Sequence, residues 1–280
     1  MPVPGNTIDL KTDHKVFKTP GVSYSVSGRK ILPEMNIADY IRIFYIYTDF
    51  AAVESIFGHL DRRSGLYGGR PFTPEHSLTR RHLRQIKDLG INLSLTLTNH
   101  YFDEKAYQAG KTLLKSHHHK GNSIICVNDD LARRVKNDFP DYLVKASIIK
   151  NLDTLEKIEM ALPIYDQVVL PMEKNDDDAF LLSIPEENRL RVVLFGNATC
   201  AYTCPDRTCY LGFSRQNAGH PDTMTCSKKR IQRLDLGDVF FNIKKLKKMG
   251  YSHYKLVPLA PASATGAALR IRKPKENGKG

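Results

Sequence analysis

From Ile41 onward, short runs rich in β-branched and aromatic residues alternate with stretches whose apolar positions recur every three or four residues. The first pattern predicts strands and the second amphipathic helices. Ile41–Tyr47 is the first predicted strand, and Asp49 stands where it can cap a helix with Phe50, Val53, Ile56, Phe57 and Leu60 on one face. Leu66–Gly68 predicts a short second strand, followed by a helix using Leu83, Ile86 and Leu89. Asn92–Thr98 predicts strand three; its helix has Asp103 near the start and Ala106, Tyr107, Gly110, Leu113 and Leu114 on the apolar face. Ser123–Val127, Leu143–Ile148, Asp166–Leu170 and Arg191–Phe195 predict strands four to seven. The helices between them open at Asp129 or Asp130 and end before Pro140, then use Leu152, Leu155, Ile158 and Leu162, then Ala179–Leu182. The acidic run Asn175–Asp178 suits the positive end of the last of these. A helix over Asp238–Met249 and a strand over Tyr254–Val257 complete the pattern.

Eight strands alternating with helices predict a parallel sheet, and that number predicts closure into a single (β/α)8 TIM-type barrel. An open doubly wound sheet is the structural alternative. The expected organisation is an N-terminal extension over 1–40, with a hairpin at Val22–Val26 closing the bottom of the barrel, a barrel domain over 41–257, and a basic, flexible tail over 258–280. A length of 280 residues suits one barrel, and 41% hydrophobic residues supply a core. No apolar run approaches the roughly 20 residues of a membrane span. The start, Met1-Pro-Val-Pro-Gly, lacks a basic region followed by an apolar one, so the expected compartment is the reducing cytoplasm.

Composition changes this picture at one place. Cys200, Cys204, Cys209 and Cys226 crowd into the segment after the seventh predicted strand, and Cys126 is the only other cysteine. Barrel enzymes carry their sites on loops at the carboxyl ends of strands, and Gly196–Leu236 far exceeds an ordinary connection. Four thiolates suit an iron–sulfur cluster, and tetrahedral zinc accepts the same donors. The spacings C-x3-C, C-x4-C and C-x16-C lack the paired C-x2-C knuckles of structural zinc and fit a cluster better. They also depart from the C-x3-C-x2-C of radical-SAM enzymes.

The order of Gly68-Gly69-Arg70-Pro71-Phe72, Val168-Val169-Leu170-Pro171-Met172-Glu173 and the cysteine loop resembles the collagenase-like peptidase superfamily over roughly Ile41 to Arg230. That superfamily includes oxygen-independent hydroxylases of ubiquinone biosynthesis and of ribosomal and transfer RNA. The resemblance implies a barrel and, for the hydroxylase branch, a [4Fe–4S] cluster on four cysteines. Cys200, Cys209 and Cys226 look like the first three cysteines of the family loop. Tyr210-Leu211-Gly212 and Ser214-Arg215-Gln216-Asn217 match its Tyr-Leu and Arg-Ser-Ala-Asn stretches. The pattern departs at Arg230, where the family often has a further cysteine; Cys204 is an extra thiol able to serve as fourth ligand. The family's strand-five histidine is replaced by Lys145.

Asn99, His100, Lys145 and Glu173 fall in or just after predicted strands and are the candidate catalytic residues. Glu173 suits general acid–base work if buried, or else helix capping. Lys145 in an apolar strand suits a base or nucleophile of lowered pKa, or else snorkels outward. His117-His118-His119 reads as a solvated helix end. No Ser-His-Asp order, HExxH or phosphate loop is present.

The net charge of +12 is concentrated in Lys244, Lys245, Lys247 and Lys248 and in a tail carrying Arg270, Arg272, Lys273 and Lys275. Such clusters neutralise RNA phosphates, although a solvated helix face and a basic tail give the same pattern. The functional expectation is therefore an iron–sulfur barrel enzyme hydroxylating a ring, in RNA or in a quinone precursor. The alternatives are a peptidase-like protein of the same superfamily and a non-catalytic subunit stapled by metal that completes a related partner.

Overall fold

A computed structural model describes residues 19–60, 64–69, 77–199, 201–202, 204, 207–220 and 239–259. Cys200, Cys226, Arg70–Phe72, Arg230 and nearly all of the basic tail lie outside them.

Eight parallel strands close into a barrel: β1 (Ser23–Ser27), β2 (Val53–Gly58), β3 (Asn92–Leu97), β4 (Ser123–Cys126), β5 (Leu143–Ala146), β6 (Gln167–Val169), β7 (Val192–Phe195) and β10 (His253–Leu256). β1 closes the ring by pairing with both β10 and β2. The connecting helices are α1 (Ile37–Phe44), α2 (Arg80–Asp88), α3 (Glu104–Ser116), α4 (Asp129–Asp138), α5 (Leu155–Ala161), α6 (Asp178–Ser183), α7 (Glu186–Arg189) and α9 (Ile243–Lys248); a further helix, α8 (Gly212–Asn217), follows β7. A separate antiparallel pair, β8 (Asn197–Ala198) with β9 (Val239–Phe240), joins the two ends of the cysteine-bearing segment.

The (β/α)8 expectation holds, and from strand three onward the elements fall where the pattern places them. The first two units do not. The barrel begins at Ser23 rather than Ile41, so 1–40 is not wholly an extension, and Val22–Val26 is a barrel strand rather than a hairpin. Ile41–Tyr47 lies largely in α1, because Asn36 accepts the Asp39 N–H (2.8 Å) as N-cap and Ile37, Tyr40 and Ile41 bury one helical face. The predicted helix over Phe50–Leu60 is instead β2. A bulge between the Tyr24–Val53 and Ser25–Ser55 pairs inserts one residue. The outward-facing apolar residues Val53 and Ile56 are therefore three apart, which imitates helical spacing. Leu66–Gly68 is a turn beyond β2, not a strand. Two missed strands and two spurious ones left the count at eight.

Outward-facing strand residues are almost wholly apolar and buried under the helices: Tyr24, Val26, Ile56, Leu93, Leu95, Ile124, Val144, Val168, Val192, Leu194 and Tyr254 are at most 4% exposed. Cys126 is buried on this face, where burial pushes its thiol pKa up. No helix among the described residues is long and apolar enough to cross a membrane.

The carboxyl end of β1 is tied to α1 by two phenols. Tyr40 and Tyr45 both donate to the Ser27 carbonyl, at 2.5 and 2.6 Å. Tyr40→Phe or Tyr45→Phe alone should cost about 1 kcal/mol in urea unfolding. The double variant should cost more than the sum, since it strands a buried carbonyl; additive losses would show that the two bonds are independent.

Candidate active site

The carboxyl ends of the barrel strands are covered by the segment that carries the cysteines. Within it, Phe213 of α8 donates its N–H to the Gly69 carbonyl (3.2 Å), and Asn217 Nδ2 donates to the carbonyls of Ser64 (3.0 Å) and Tyr67 (2.7 Å). Ser214 Oγ accepts the His100 N–H at 3.2 Å and meets His100 Nδ1 at 3.0 Å. Gly68 packs so tightly here that a Cβ would collide with Ser214 Oγ and the Thr98 carbonyl. On the other side Arg207 pairs with Glu173, after β6, and bonds to Asn151 Oδ1, after β5. The Tyr202 hydroxyl donates to Asp176. The segment thus spans the mouth from the β2 and β3 loops to those of β5 and β6.

Arg207 adopts φ +42°, a left-handed conformation uncommon for a residue with a side chain. Its two partners over-determine that geometry, the condition under which such strain persists. Cys204 and Cys209, on either side of Arg207, are each 8% exposed, and neither forms a disulfide. No group of three metal-ligating side chains occurs among the described residues, a set that excludes Cys200 and Cys226.

The four candidate catalytic residues divide. Asn99 is a scaffold: its Nδ2 donates to Gly65 O (2.6 Å) and its Oδ1 accepts Tyr101 N–H (2.9 Å), which holds the β2 loop. His100 sits under α8, its pKa lowered by burial and by Lys150, which favours the neutral ring. Glu173 faces the cysteine segment, and its Oε2 is buried with no hydrogen-bond partner among the described residues; so is Arg207 Nε. Asp176, beside them, has a pKa raised by burial. Lys145 is elsewhere, inside the barrel.

The lumen was missed in the sequence. In-register pairing and the alternation of strand side chains turn Ser23, Ser25, Glu54, Ser55, Phe57, Ser94, Thr96, Ser123, Ile125, Lys145, Gln167, Val193, Phe195, His253 and Lys255 inward. Lys145 Nζ lies 3.7 Å from Glu54 Oε1, a contact between strands three apart in the ring that only the interior permits. Glu54 Oε2 also accepts the Ser23 hydroxyl (2.6 Å) and lies 3.6 Å from His253 Nδ1, which meets Ser23 Oγ at 2.8 Å. His253 lowers the Glu54 pKa to about 2, and Lys145 and Ser23 add to that against the opposing effect of burial. Burial lowers the pKa of Lys145 despite Glu54. Ser23 and Glu54 share one ring nitrogen of His253, so the trio cannot relay a proton through the imidazole as a hydrolase triad does.

The lysines of α9 lie outside the barrel. Lys245 pairs with Asp178 at 2.5 Å, and Lys247 donates to the Pro20 carbonyl at the amino-end edge, away from the mouth. His117 ends α3, and His118 Nε2 accepts the Asp141 N–H (2.9 Å).

No family model and no curated protein matches the chain. Among solved structures it is similar to the U32 peptidase Mk0906, with a TM-score of 0.57 and 11% sequence identity, over 87% of this chain and 96% of that one. The barrel is shared. At this identity the likeness establishes the fold alone.

Two outcomes test this geometry. Gly68→Ala should displace α8 and destabilise the mouth by about 2 kcal/mol, with faster proteolysis in the cysteine segment; unchanged proteolysis would show that the close approach is not needed. Glu54→Gln should cost about 3 kcal/mol at neutral pH, because it leaves the Lys145 charge unpaired. The depressed Glu54 pKa stabilises the fold above its unfolded value, and that contribution fades as pH falls from about 4.5 toward 2. Wild-type stability should therefore drop across that window, and the variant's should drop less.

Proposed function

We propose that this chain is a barrel enzyme in which Cys200, Cys204, Cys209 and Cys226 hold a [4Fe–4S] cluster over the mouth, and that it hydroxylates a ring substrate, an RNA base or a quinone precursor, without molecular oxygen. The observation that carries this reading is the position of the cysteine-bearing segment: Cys204 and Cys209 are buried, outside any disulfide and pinned above the carboxyl ends of the strands, where barrel enzymes do their chemistry. Thiolates in a sheltered site suit a cluster, which when bound supplies one-electron transfer. Of this chain's own residues, Arg207 and Glu173 hold the segment closed. Neutral His100 is placed to exchange a hydrogen bond with a ring substituent. Asp176, across the mouth after β6 and bonded to Tyr202, has a raised pKa that suits it to hold a proton. The α9 lysines do not favour RNA over a quinone precursor, since Lys245 is paired with Asp178 and Lys247 points to the opposite end of the barrel.

The neighbour's name supports a second reading, peptide hydrolysis. Against it, the Ser23–His253–Glu54 trio is not competent to relay a proton, and the described residues hold no three-ligand metal group.

Purified without oxygen, the protein should contain about four iron and four sulfide per chain and absorb broadly in the visible. Cys204→Ser and Cys209→Ser should each lower iron at least twofold, whereas Cys126→Ser should leave it unchanged. Stoichiometric zinc without sulfide, or cleavage of unstructured peptides by the metal-free protein, would overturn the hydroxylase reading.

A further inference from the structure

Six of the described outer helices, α1, α3, α4, α5, α6 and α7, carry an acidic residue in the first turn, as the positive end of a helix dipole favours. α2 does the opposite. It reads Arg80-Arg81-His82-Leu83-Arg84-Gln85-Ile86-Lys87-Asp88, with arginines at its first two positions and no acid in the first turn. Arg80, Arg81, Arg84 and Lys87 are all exposed, and no carboxylate among the described residues pairs with any of them. Cations of α4, α5 and α9 do have such partners: Arg133 with Asp130, Arg134 with Glu104, Lys157 with Asp153 and Lys245 with Asp178. Cations at the positive end of a helix cost stability rather than add to it. A surplus that serves neither the helix nor a neighbouring carboxylate is available to an anion from outside.

The position of α2 narrows what that anion is. The Leu78 N–H donates to the His59 carbonyl (3.0 Å), which seats the start of α2 over the carboxyl end of β2. The same loop carries Ser64, Tyr67 and Gly69, the anchor points of α8, so the arginines border the covered mouth. A capping box occupies the helix start: Thr79 Oγ1 accepts the His82 N–H (3.2 Å), and His82 Nδ1 accepts the Thr79 N–H (3.1 Å). The side-chain cations are therefore the binding groups. Arg81 is held against the β1–α1 loop by the Glu34 carbonyl (3.3 Å). Arg80, Arg84 and Lys87, at i, i+4 and i+7, form one ridge about 10 Å long. Charges repeated along a line suit a chain of phosphates better than one small anion. A lipid surface is a poor fit, because the apolar side of α2 is taken up by the barrel: Ile86 is 2% exposed and Leu83 packs on the core. On the next loop Tyr101 is 45% exposed, its ring 6.2 Å from that of His220 just past α8. An exposed aromatic ring beside a cationic ridge is how single strands are held without reading their sequence.

We propose that the Arg80, Arg84 and Lys87 ridge of α2, with Arg81 beside it, binds the phosphates of a single RNA strand, and that Tyr101 stacks one of its bases at the edge of the mouth. This selects RNA from the two ring substrates of the hydroxylase reading, and it rests on that reading for what is done to the bound strand. The surface itself does not involve the cysteines. It also puts the nucleic-acid footprint on α2 rather than on α9.

The test is fluorescence anisotropy of a short, labelled single-stranded RNA of mixed sequence, titrated with the full chain at several salt concentrations. Each phosphate contact contributes about 0.7 to the slope of log K against log salt, which at about 0.1 M salt is about fivefold in affinity. Arg80→Gln combined with Arg84→Gln should therefore lower the slope by about 1.4 and the affinity about 25-fold. Lys244→Gln combined with Lys248→Gln should leave the affinity within about twofold. Tyr101→Ala should lower affinity at least about fivefold with the slope unchanged, since stacking releases no counterion. Arg80→Glu should weaken binding yet raise the thermal midpoint, because it restores an acid to the positive helix end; a structural role for Arg80 would lower both. Equal affinity of the paired arginine variant and the wild type overturns the proposal, as does capture by anionic lipid vesicles with no binding to RNA. Iron and sulfide analysis of the same sample separates the two readings. RNA binding through α2 without iron sinks hydroxylation and supports this surface, whereas iron without RNA binding keeps the cluster and rejects the surface.

Discussion

One inserted residue organises the inside of this barrel. The bulge in β2 sends both Glu54 and Ser55 inward, where an unbroken strand would turn one of them out against the helices. Ser55 then reaches Ser25 across the β1–β2 pair, and Glu54 reaches Ser23, His253 and, across the lumen, Lys145. Without that carboxylate the interior would hold two lysines with no counter-charge, which burial makes untenable. The bulge also sits beside the strand that closes the ring, so closure and charge balance are settled at the same position.

Polarity is distributed here in the reverse of the usual (β/α)8 pattern, in which branched aliphatic residues fill the interior in layers. The aliphatic residues face the helices, and the lumen is lined largely by hydroxyls, an amide and four ionisable groups. This follows from small residues on the inner faces of β1, β3 and β4, which leave room for the long side chains of Lys145 and Lys255. The covering of the mouth follows a different logic. It is held by backbone carbonyls of the β2 loop, by one tight glycine, by the Arg207 pair and by the burial of Ala201, Tyr210 and Phe213.

The sequence made the outer shell legible because strands three to seven bury their outward faces under helices and show it as apolar runs. It obscured the first two units for physical reasons. Ile41-Arg42-Ile43-Phe44-Tyr45 has strand-like composition, yet a good N-cap at Asn36 and a buried stripe through Tyr40 override propensity. In β2 the bulge converted an alternating pattern into a helical one. Lys145 was noticed because a charge in an apolar run stands out; Glu54, His253 and Lys255 were not, since each sits where a surface residue would look the same. Only closure of the ring brings them together. Glu173 was found from its motif, whereas its partner Arg207 lies in the cysteine segment with no periodicity to mark it.

The β8–β9 pair has a consequence for how such a protein changes over time. It brings the two ends of the cysteine-bearing segment side by side, Asn197 opposite Phe240, while Asn197 also bonds back to Val257 through both its amide groups. The barrel therefore holds this segment by a fixed stem, in addition to the contacts it makes over the mouth. Doubling the length of such a loop costs about 0.6 kcal/mol in closure entropy. A lineage is thus free to lengthen, shorten or exchange the chemistry above the mouth while the lysine-bearing interior beneath it stays the same.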